Sequence, residues 1–126
     1  MKFIIDGYNL MGSLGLMNRI KEKEIVLGEA RKKMLNLLLG FNEKSYKDYK
    51  MEVVFDGRGI RKSMRTKKKN KIKIRFASRK ETADHFITRI ADEECLVVTE
   101  DRELEKKLKE GGIEVMPNRI FLKGGV

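Results

Sequence analysis

The chain has 126 residues, of which 40% are hydrophobic and 38% charged, so its length allows one domain with a single hydrophobic core. No apolar run approaches the roughly 18 residues of a membrane span, and Asp6 interrupts the stretch where a signal peptide would need its apolar core. The formal net charge of +10 favours a polyanionic partner, while one histidine and one cysteine exclude a tetrahedral zinc site.

The first half of the chain predicts two buried strands with a helix between them. Residues 2–5 and 51–55 are short apolar runs, typical of strands that are buried on both faces. Between them, apolar side chains at helical spacing predict a helix over 27–41.

A basic segment follows the second strand. Residues 58–73 carry nine Lys or Arg and no acid, which leaves a net charge of +1 for the rest of the chain. Such a segment suits nucleic acid, because each neutralised phosphate releases counterions. An anionic membrane and a solvated loop without a specific partner are the alternatives, and the low apolar content disfavours the membrane. We expect a basic loop at about 57–71 that binds nucleic acid through Arg58, Arg61, Lys62, Arg65, Lys67, Lys68, Lys69 and Lys71.

The second half of the chain continues the alternation of strands and helices. Apolar side chains alternate with basic ones over Ile72–Phe76, which predicts a half-buried strand near a sheet edge. Ser78 and Glu81 have the spacing of a capping box, and the apolar face of the helix that should follow extends over 83–91. Cys95–Val98 is a third continuous apolar strand.

The remaining elements complete a fold prediction. Arg102–Glu110 predicts a short helix with late lysines, and 113–116 predicts a last strand. Unbroken apolar strands that alternate with helices indicate an α/β three-layer sandwich around a mainly parallel sheet. Cys95 is expected to be a core residue of a cytoplasmic protein with no disulfide-linked partner and no membrane association.

Four aspartates are placed to meet at one edge of this sheet. Asp6, Asp56 and Asp101 follow three of the buried strands, and Asp84 lies in the opening turns of the helix that precedes Cys95–Val98. Each has an ordinary structural explanation, because Asp is common in turns and at helix N-termini. The carboxyl ends of parallel strands nevertheless share one edge, where ligands bind, so we expect the four carboxylates to converge.

Converging carboxylates need a counter-charge. Two of them about 5 Å apart repel by roughly 3 kcal/mol at an effective dielectric near 20. Several would cost on the order of 10 kcal/mol, which is comparable with the roughly 5–15 kcal/mol that stabilise a whole domain. A divalent cation removes this conflict, and ligands that are all oxygen favour Mg²⁺ or Mn²⁺.

Side chains beside the acids are open to two interpretations. After Asp6, Gly7 permits a tight turn or a close approach of a ligand, and the Asn9 amide can donate to a phosphate oxygen. Tyr8 either stacks on a base or packs beneath the turn, and His85 either reaches a substrate or has a structural or solvated place.

Four short segments together resemble a known family. They are 5–10, 53–56, 81–84 and 97–101, and their order and spacing are similar to those of the NYN domain, in its YacP-like branch among the PIN-like nucleases. The resemblance covers almost the whole chain. It implies a PIN-like α/β/α fold for 1–126 as a single domain, and metal-dependent endoribonuclease activity.

The resemblance also assigns roles to individual residues. It implies that Asp6, Asp84 and Asp101 bind the metal, that Asp56 is a supporting acid, and that Asn9 is a polar residue beside the metal.

The chain departs from the family pattern at two positions. Thr88 stands where relatives often carry a Glu one helical turn after Asp84. Glu100 stands where a small residue often precedes the last aspartate, and its charge could partly replace the missing one.

The resulting hypothesis is hydrolysis of single-stranded RNA by metal-activated water, with 5′-phosphate and 3′-hydroxyl products and ribosome-associated mRNA among the candidate substrates. The main alternative is a non-catalytic RNA-binding module with a degraded site, and a nuclease acting on DNA is another. A phosphatase of the haloacid dehalogenase type is disfavoured because Tyr8 replaces the second aspartate it needs. A receiver domain is disfavoured because Met116, not lysine, precedes Pro117.

Overall fold

A computed structural model describes residues 1–57, 71–78 and 80–124, together with the backbone of residues 66–69. Strands and helices alternate along these residues. The strands are β1 Lys2–Asp6, β2 Lys50–Phe55, β3 Thr66–Lys69, β4 Ile72–Phe76, β5 Cys95–Val98 and β6 Glu114–Met116. The helices are α1 Gly7–Ser13, α2 Leu16–Lys21, α3 Leu27–Glu43, α4 Ala83–Ile90, α5 Arg102–Glu110 and α6 Asn118–Leu122.

The strands form one sheet in the order β3-β4-β2-β1-β5-β6. The five strands from β4 to β6 are parallel, and β3 is antiparallel to β4. Ile5 in β1 pairs with Val53 in β2 and with Val98 in β5, so these three strands end at the same edge. We call this the carboxyl edge of the sheet, and the opposite one the amino edge.

Helices cover both faces of the sheet because successive strand side chains point to opposite sides. Ile5 packs on one side, in a core that includes Met34 of α3 and Phe121 of α6. Ile4 packs on the other, in a core that includes Phe86 of α4 and Leu104 of α5. The prediction of an α/β three-layer sandwich with a mainly parallel sheet is therefore confirmed.

Part of the segment predicted as a basic loop is an edge strand. Thr66 pairs with Arg75 and Lys69 pairs with Ile72, so β3 and β4 form a hairpin. A lysine-rich strand has no apolar alternation to reveal it, yet lysines are well suited to an exposed edge because they discourage pairing with a further chain. Residues 58–65 and 70 of the predicted loop lie outside the described residues.

The predicted capping box before α4 is wrong. Thr82 is the N-cap, and its hydroxyl accepts a hydrogen bond from the His85 backbone N–H at 3.1 Å. Ser78 instead accepts a bond from the Glu81 N–H through its main-chain carbonyl, at 3.0 Å, in the turn before the helix. The helix therefore begins one turn after the position that the sequence suggests, and Asp84 lies in its first turn.

Candidate metal centre

Three of the four predicted acids converge at the carboxyl edge. Asp6 is the last residue of β1, Asp101 follows β5 as the N-cap of α5, and Asp84 lies in the first turn of α4. One oxygen from each carboxylate lies within 4.8 Å of the other two. We call these three residues the acidic cluster.

Asp6 is the buried member of the cluster, with 6% of its surface exposed. Its Oδ2 accepts a hydrogen bond at 2.9 Å from the hydroxyl of Thr99, which is fully buried. Burial raises the pKa of Asp6 to about 7, and the charges of Asp84 and Asp101 add to this rise while the Thr99 hydrogen bond opposes it. The site therefore resists a negative charge at the position where β1 places a carboxylate.

Asp101 and Asp84 are held by the two helices that begin at the site. Oδ1 of Asp101 accepts hydrogen bonds from the backbone N–H groups of Glu103 and Leu104, at 3.0 and 3.1 Å, as the cap of α5. Burial raises the pKa of Asp84, and both the charge of Asp101 and a hydrogen bond with it act in the same direction. Lys107 opposes this rise through its positive charge.

These carboxylates fit a hard divalent cation. Among the described residues none of the three forms an ion pair with a basic side chain, so their repulsion lacks a direct counter-charge. Burial is the main cause of the raised pKa values of Asp6 and Asp84, and the neighbouring carboxylates add to it. The donor set consists only of carboxylate oxygens, which is the chemistry of Mg²⁺ and Mn²⁺ sites.

Two other predicted site residues, Asp56 and Asn9, do not belong to the acidic cluster. Asp56 directly follows β2 at the carboxyl edge and is half-buried, but it is not one of the three converging carboxylates. The amide oxygen of Asn9 in α1 accepts hydrogen bonds from the Glu100 N–H and from Nδ2 of Asn118, both at 2.8 Å. The Asn9 oxygen is thus committed to the protein itself.

The two departures from the family pattern do not extend the acidic cluster. The Thr88 hydroxyl donates to the main-chain oxygen of Asp84 at 2.8 Å, within α4. The Glu100 carboxylate accepts a hydrogen bond from the backbone N–H of Arg119 at 3.1 Å and lies 3.5 Å from its guanidinium. Glu100 is therefore bonded to α6 and is not one of the three converging carboxylates; that its charge partly replaces the missing one stays a prediction.

For Tyr8 and His85 the structure favours the plainer interpretation. The Tyr8 ring lies 4.8 Å from the Phe55 ring, and its hydroxyl accepts a hydrogen bond from Arg31 at 3.2 Å, so Tyr8 packs beneath the turn. His85 is 70% exposed and lies 3.1 Å from Glu81.

Of the predicted nucleic-acid contacts, the four that the structure describes lie on β3 or directly before β4. The β3–β4 hairpin turns at the amino edge, and there the Lys71 ammonium donates to the main-chain oxygen of Lys47 at 2.8 Å. Lys67, Lys68 and Lys69 lie along β3 between the two edges. Four of the predicted contacts lie outside the described residues: Arg58, Arg61, Lys62 and Arg65.

Two residues near the acidic cluster were not predicted. Thr99 donates to Asp6 and also accepts from the Asp101 N–H at 3.1 Å. Its position between a buried strand and an acid was the available signal. Asn118 is fully buried and contacts Asn9 from α6, a helix of five residues that is too short to show periodicity.

Almost the whole chain matches one protein family. Residues 3–124 match the YacP-like NYN domain. The chain belongs to this family. A YacP-like NYN domain with such an acidic cluster is consistent with a PIN-like nuclease, and the family implies a nucleic acid substrate.

Solved structures agree with the fold. Rae1 (YacP) from Bacillus subtilis matches with a TM-score of 0.72 at 22% identity, over 98% of this chain and 72% of that one. A point mutant of the same protein matches with a TM-score of 0.70 at 24% identity, over the same shares. No curated protein matches the sequence. The TM-scores establish a shared NYN/PIN-like fold, and at these identities the likeness shows the fold alone.

None of the described helices is long and apolar enough to cross a bilayer. Cys95 is buried, and its thiol donates to Oδ1 of Asp92 at 3.3 Å.

Proposed function

We propose that this chain is a metal-dependent endoribonuclease that hydrolyses the phosphodiester bonds of single-stranded RNA. The observation that supports this best is the approach of Asp6, Asp84 and Asp101 to within 4.8 Å at the edge where ligands bind in parallel sheets. Membership of the YacP-like NYN family supports a nuclease, and the basic segment of the sequence supports a polyanionic substrate.

In this proposal the three aspartates would hold Mg²⁺ or Mn²⁺. The cation would supply Lewis-acid stabilisation of the phosphate and a nucleophilic water at neutral pH. Thr99 would keep the Asp6 carboxylate oriented, and the cap bonds of α5 would do the same for Asp101. Such outer contacts commonly change metal affinity by about 10–100-fold.

Proton release would accompany metal binding. With a pKa of about 7, Asp6 is protonated in a large fraction of metal-free molecules near neutral pH. Carboxylate ligands must be deprotonated, so metal affinity should rise with pH up to this pKa and then level off. No histidine base is required, which agrees with the exposed position of His85.

The finer assignments are part of the same proposal. Asp56 would be a supporting acid, Asn9 a polar residue beside the metal, and the basic segment the guide for the RNA strand. Products with a 5′-phosphate and a 3′-hydroxyl follow from the PIN-like resemblance. Cytoplasmic RNA, including ribosome-associated mRNA, is the proposed substrate pool.

A cleavage assay tests the proposal. Labelled single-stranded RNA is incubated with Mn²⁺, with EDTA, and with the variant Asp6→Asn in Mn²⁺. The control is Asp48→Asn, which makes the same change at an exposed residue before β2. We expect cleavage by the wild type and the control in Mn²⁺ only, and none by Asp6→Asn. Cleavage in EDTA, or full activity of Asp6→Asn, would contradict the proposal.

The second candidate is an RNA-binding module without catalysis. It is favoured by Thr88, whose hydroxyl bonds to the helix backbone and adds no carboxylate to the three that converge. RNA that is bound yet intact in Mn²⁺, together with a melting temperature that Mn²⁺ leaves unchanged, would support this candidate over the first.

A further inference from the structure

The short helix α6 contacts α1, which begins directly after Asp6, through its first residue, Asn118. This side chain is fully buried, and its Nδ2 lies 2.8 Å from both the amide oxygen of Asn9 and the hydroxyl of Ser13. The same nitrogen lies 3.3 Å from the main-chain oxygen of Asn9. Asn118 therefore attaches α6 to α1 at Asn9, three residues after Asp6.

The orientation of both amides follows from one backbone donor. The Glu100 N–H can only donate, and it lies 2.8 Å from Oδ1 of Asn9, so Asn9 must present its oxygen there. That oxygen is also 2.8 Å from Asn118, which must therefore present its NH₂ group. A chain of hydrogen bonds thus runs from Asn118 through Asn9 to the residue before Asp101.

The second residue of α6 holds the same turn from its other side. The Arg119 backbone N–H donates to Oε2 of Glu100 at 3.1 Å, and its guanidinium lies 3.5 Å from Oε1. Glu100 is therefore held by its main chain through Asn9 and by its side chain through Arg119. Both arms begin at the start of α6.

The two ends of the Asn118 side-chain amide differ: its NH₂ group donates hydrogen bonds, whereas its oxygen Oδ1 accepts none from the described part of the chain. Among the described residues it is the one buried side-chain polar atom without a hydrogen-bond partner. An unsatisfied buried acceptor lowers stability. A leucine would fill a similar volume without that cost, so packing alone does not account for an asparagine here.

We propose that Asn118 is a positioning residue, which acts through Asn9 and together with Arg119 to hold the 99–101 turn so that Asp101 stays in the acidic cluster. We call this arrangement the α6 clamp. The turn also carries Thr99, which bonds to both Asp6 and the Asp101 N–H, so a looser turn would displace two of the three candidate ligands relative to each other. The consequence for metal binding rests on the proposed function, whereas the geometry of the turn does not.

Two readouts test the clamp in the full chain. Amide hydrogen exchange of Glu100 and Asp101 in EDTA reports the turn without metal, and calorimetric titration with Mn²⁺ reports the site. For Asn118→Leu we expect the Glu100 amide to exchange at least about tenfold faster, because its acceptor is no longer fixed, and Mn²⁺ affinity to fall by about 10–100-fold. Glu100→Ala, at an exposed side chain, removes the contact with Arg119 and should weaken Mn²⁺ binding less than Asn118→Leu does. It also tests the clamp if Asn118→Leu fails to fold.

A matched control removes a different attachment of α6. The Tyr46 hydroxyl donates to the main-chain oxygen of Phe121 at 2.7 Å, three residues after Asn118. Tyr46→Phe should lower the melting temperature while leaving Glu100 exchange and Mn²⁺ affinity unchanged. If Asn118 had a purely structural role, Asn118→Leu and Tyr46→Phe would change Glu100 exchange and Mn²⁺ affinity to the same extent. That result would overturn the clamp.

The outcomes separate this inference from the proposed function. If the wild type binds Mn²⁺ and both clamp variants bind it equally well, the clamp is overturned and the metal site stands. If the wild type binds no Mn²⁺, the proposed function fails, and faster Glu100 exchange in Asn118→Leu still supports the clamp. Unchanged exchange in Asn118→Leu overturns the clamp in either case.

Discussion

The hydroxyl of Thr99 lies 2.9 Å from Oδ2 of Asp6, although the two residues are 93 positions apart in the chain. The same hydroxyl accepts the Asp101 N–H at 3.1 Å. One buried oxygen therefore connects the end of β1 with the start of α5. The relative placement of two candidate ligands depends on a residue that is itself not a carboxylate.

Thr99→Val, which keeps the shape of the side chain and removes its oxygen, should impair the site more than the fold. The variant leaves the Asp101 N–H without its partner, so we expect a loss of stability of about 1–3 kcal/mol. Mn²⁺ affinity, measured by calorimetry, should fall by about 10–100-fold. Thr88→Val is the control, because that hydroxyl bonds only to the backbone of α4, and it should leave Mn²⁺ affinity unchanged.

Asp6→Asn should stabilise the metal-free protein in a pH-dependent way. Burial raises the pKa of Asp6 from 3.8 to about 7, with the charges of Asp84 and Asp101 as further causes. Between these pH values the folded chain holds a proton that the unfolded chain has lost, so this carboxyl costs more stability as the pH rises from about 4 to about 7. The full cost is on the order of 4 kcal/mol.

Urea denaturation in EDTA measures this effect at pH 4 and at pH 8. The free energies of unfolding of the wild type and Asp6→Asn should be similar at pH 4, and the variant should be the more stable protein at pH 8. A difference that is the same at both pH values would show that Asp6 is not held at an electrostatic cost.

Mn²⁺ should stabilise the wild type at pH 8 and offset part of this cost. A ligand that binds only the folded state stabilises it by about 2.7 kcal/mol at one hundred times its dissociation constant. The melting temperature of the wild type should therefore rise with Mn²⁺ while that of Asp84→Asn rises much less. Equal shifts for both proteins would mean that Mn²⁺ binds elsewhere.

Gly7→Ala should destabilise the turn that carries Asp6, because a Cβ at Gly7 would lie 2.4 Å from the buried Phe55 ring and 2.9 Å from the Val54 oxygen. We expect a cost of about 1–3 kcal/mol from overpacking, measured by urea denaturation. Gly12→Ala is the control in the same helix, where a Cβ meets no atom within 4 Å. That variant should gain about 0.5–1 kcal/mol, and a loss at Gly12 as large as at Gly7 would refute the steric explanation.

Combined replacement of Lys67, Lys68 and Lys69 by Ala should weaken RNA binding and flatten its salt dependence. Each lost phosphate contact should reduce the slope of log affinity against log salt by about 0.7. The control replaces Lys44, Lys47 and Lys50 by Ala. This removes the same charge from exposed positions before and at the start of β2. Lys71→Ala should have less effect than the β3 variants, because its ammonium is bound at the amino edge. Equal slopes for the two triple variants would place the RNA elsewhere.

The sheet and the acidic cluster could be predicted because their signals are local and strong. The apolar runs of β1, β2 and β5 mark strands buried on both faces, and parallel topology then brings Asp6 and Asp101 to one edge. Asp84 followed from its place at the start of the helix before β5. The number of converging acids could not be predicted, because periodicity does not fix the direction of a side chain that follows a strand, as Asp56 does.

Other features depend on contacts between distant residues. Glu52 lies in a strand predicted from apolar character, yet it is buried and paired with Lys2 at 3.3 Å and Arg75 at 3.0 Å on neighbouring strands. The orientation of Glu100 is likewise set by Arg119, 19 residues further along the chain. Helix α6 is too short for its pattern to be recognised, and its role depends on packing against α1.

The most direct test of a shared cation site is a crystal structure of the wild-type protein with Mn²⁺ and anomalous diffraction data. The account predicts an anomalous peak that is bound by a carboxylate oxygen from each of Asp6, Asp84 and Asp101, either directly or through an ordered water. It predicts no such peak in crystals of Asp6→Asn. Mn²⁺ peaks that occur only elsewhere, with these three carboxylates turned away from one another, would contradict it.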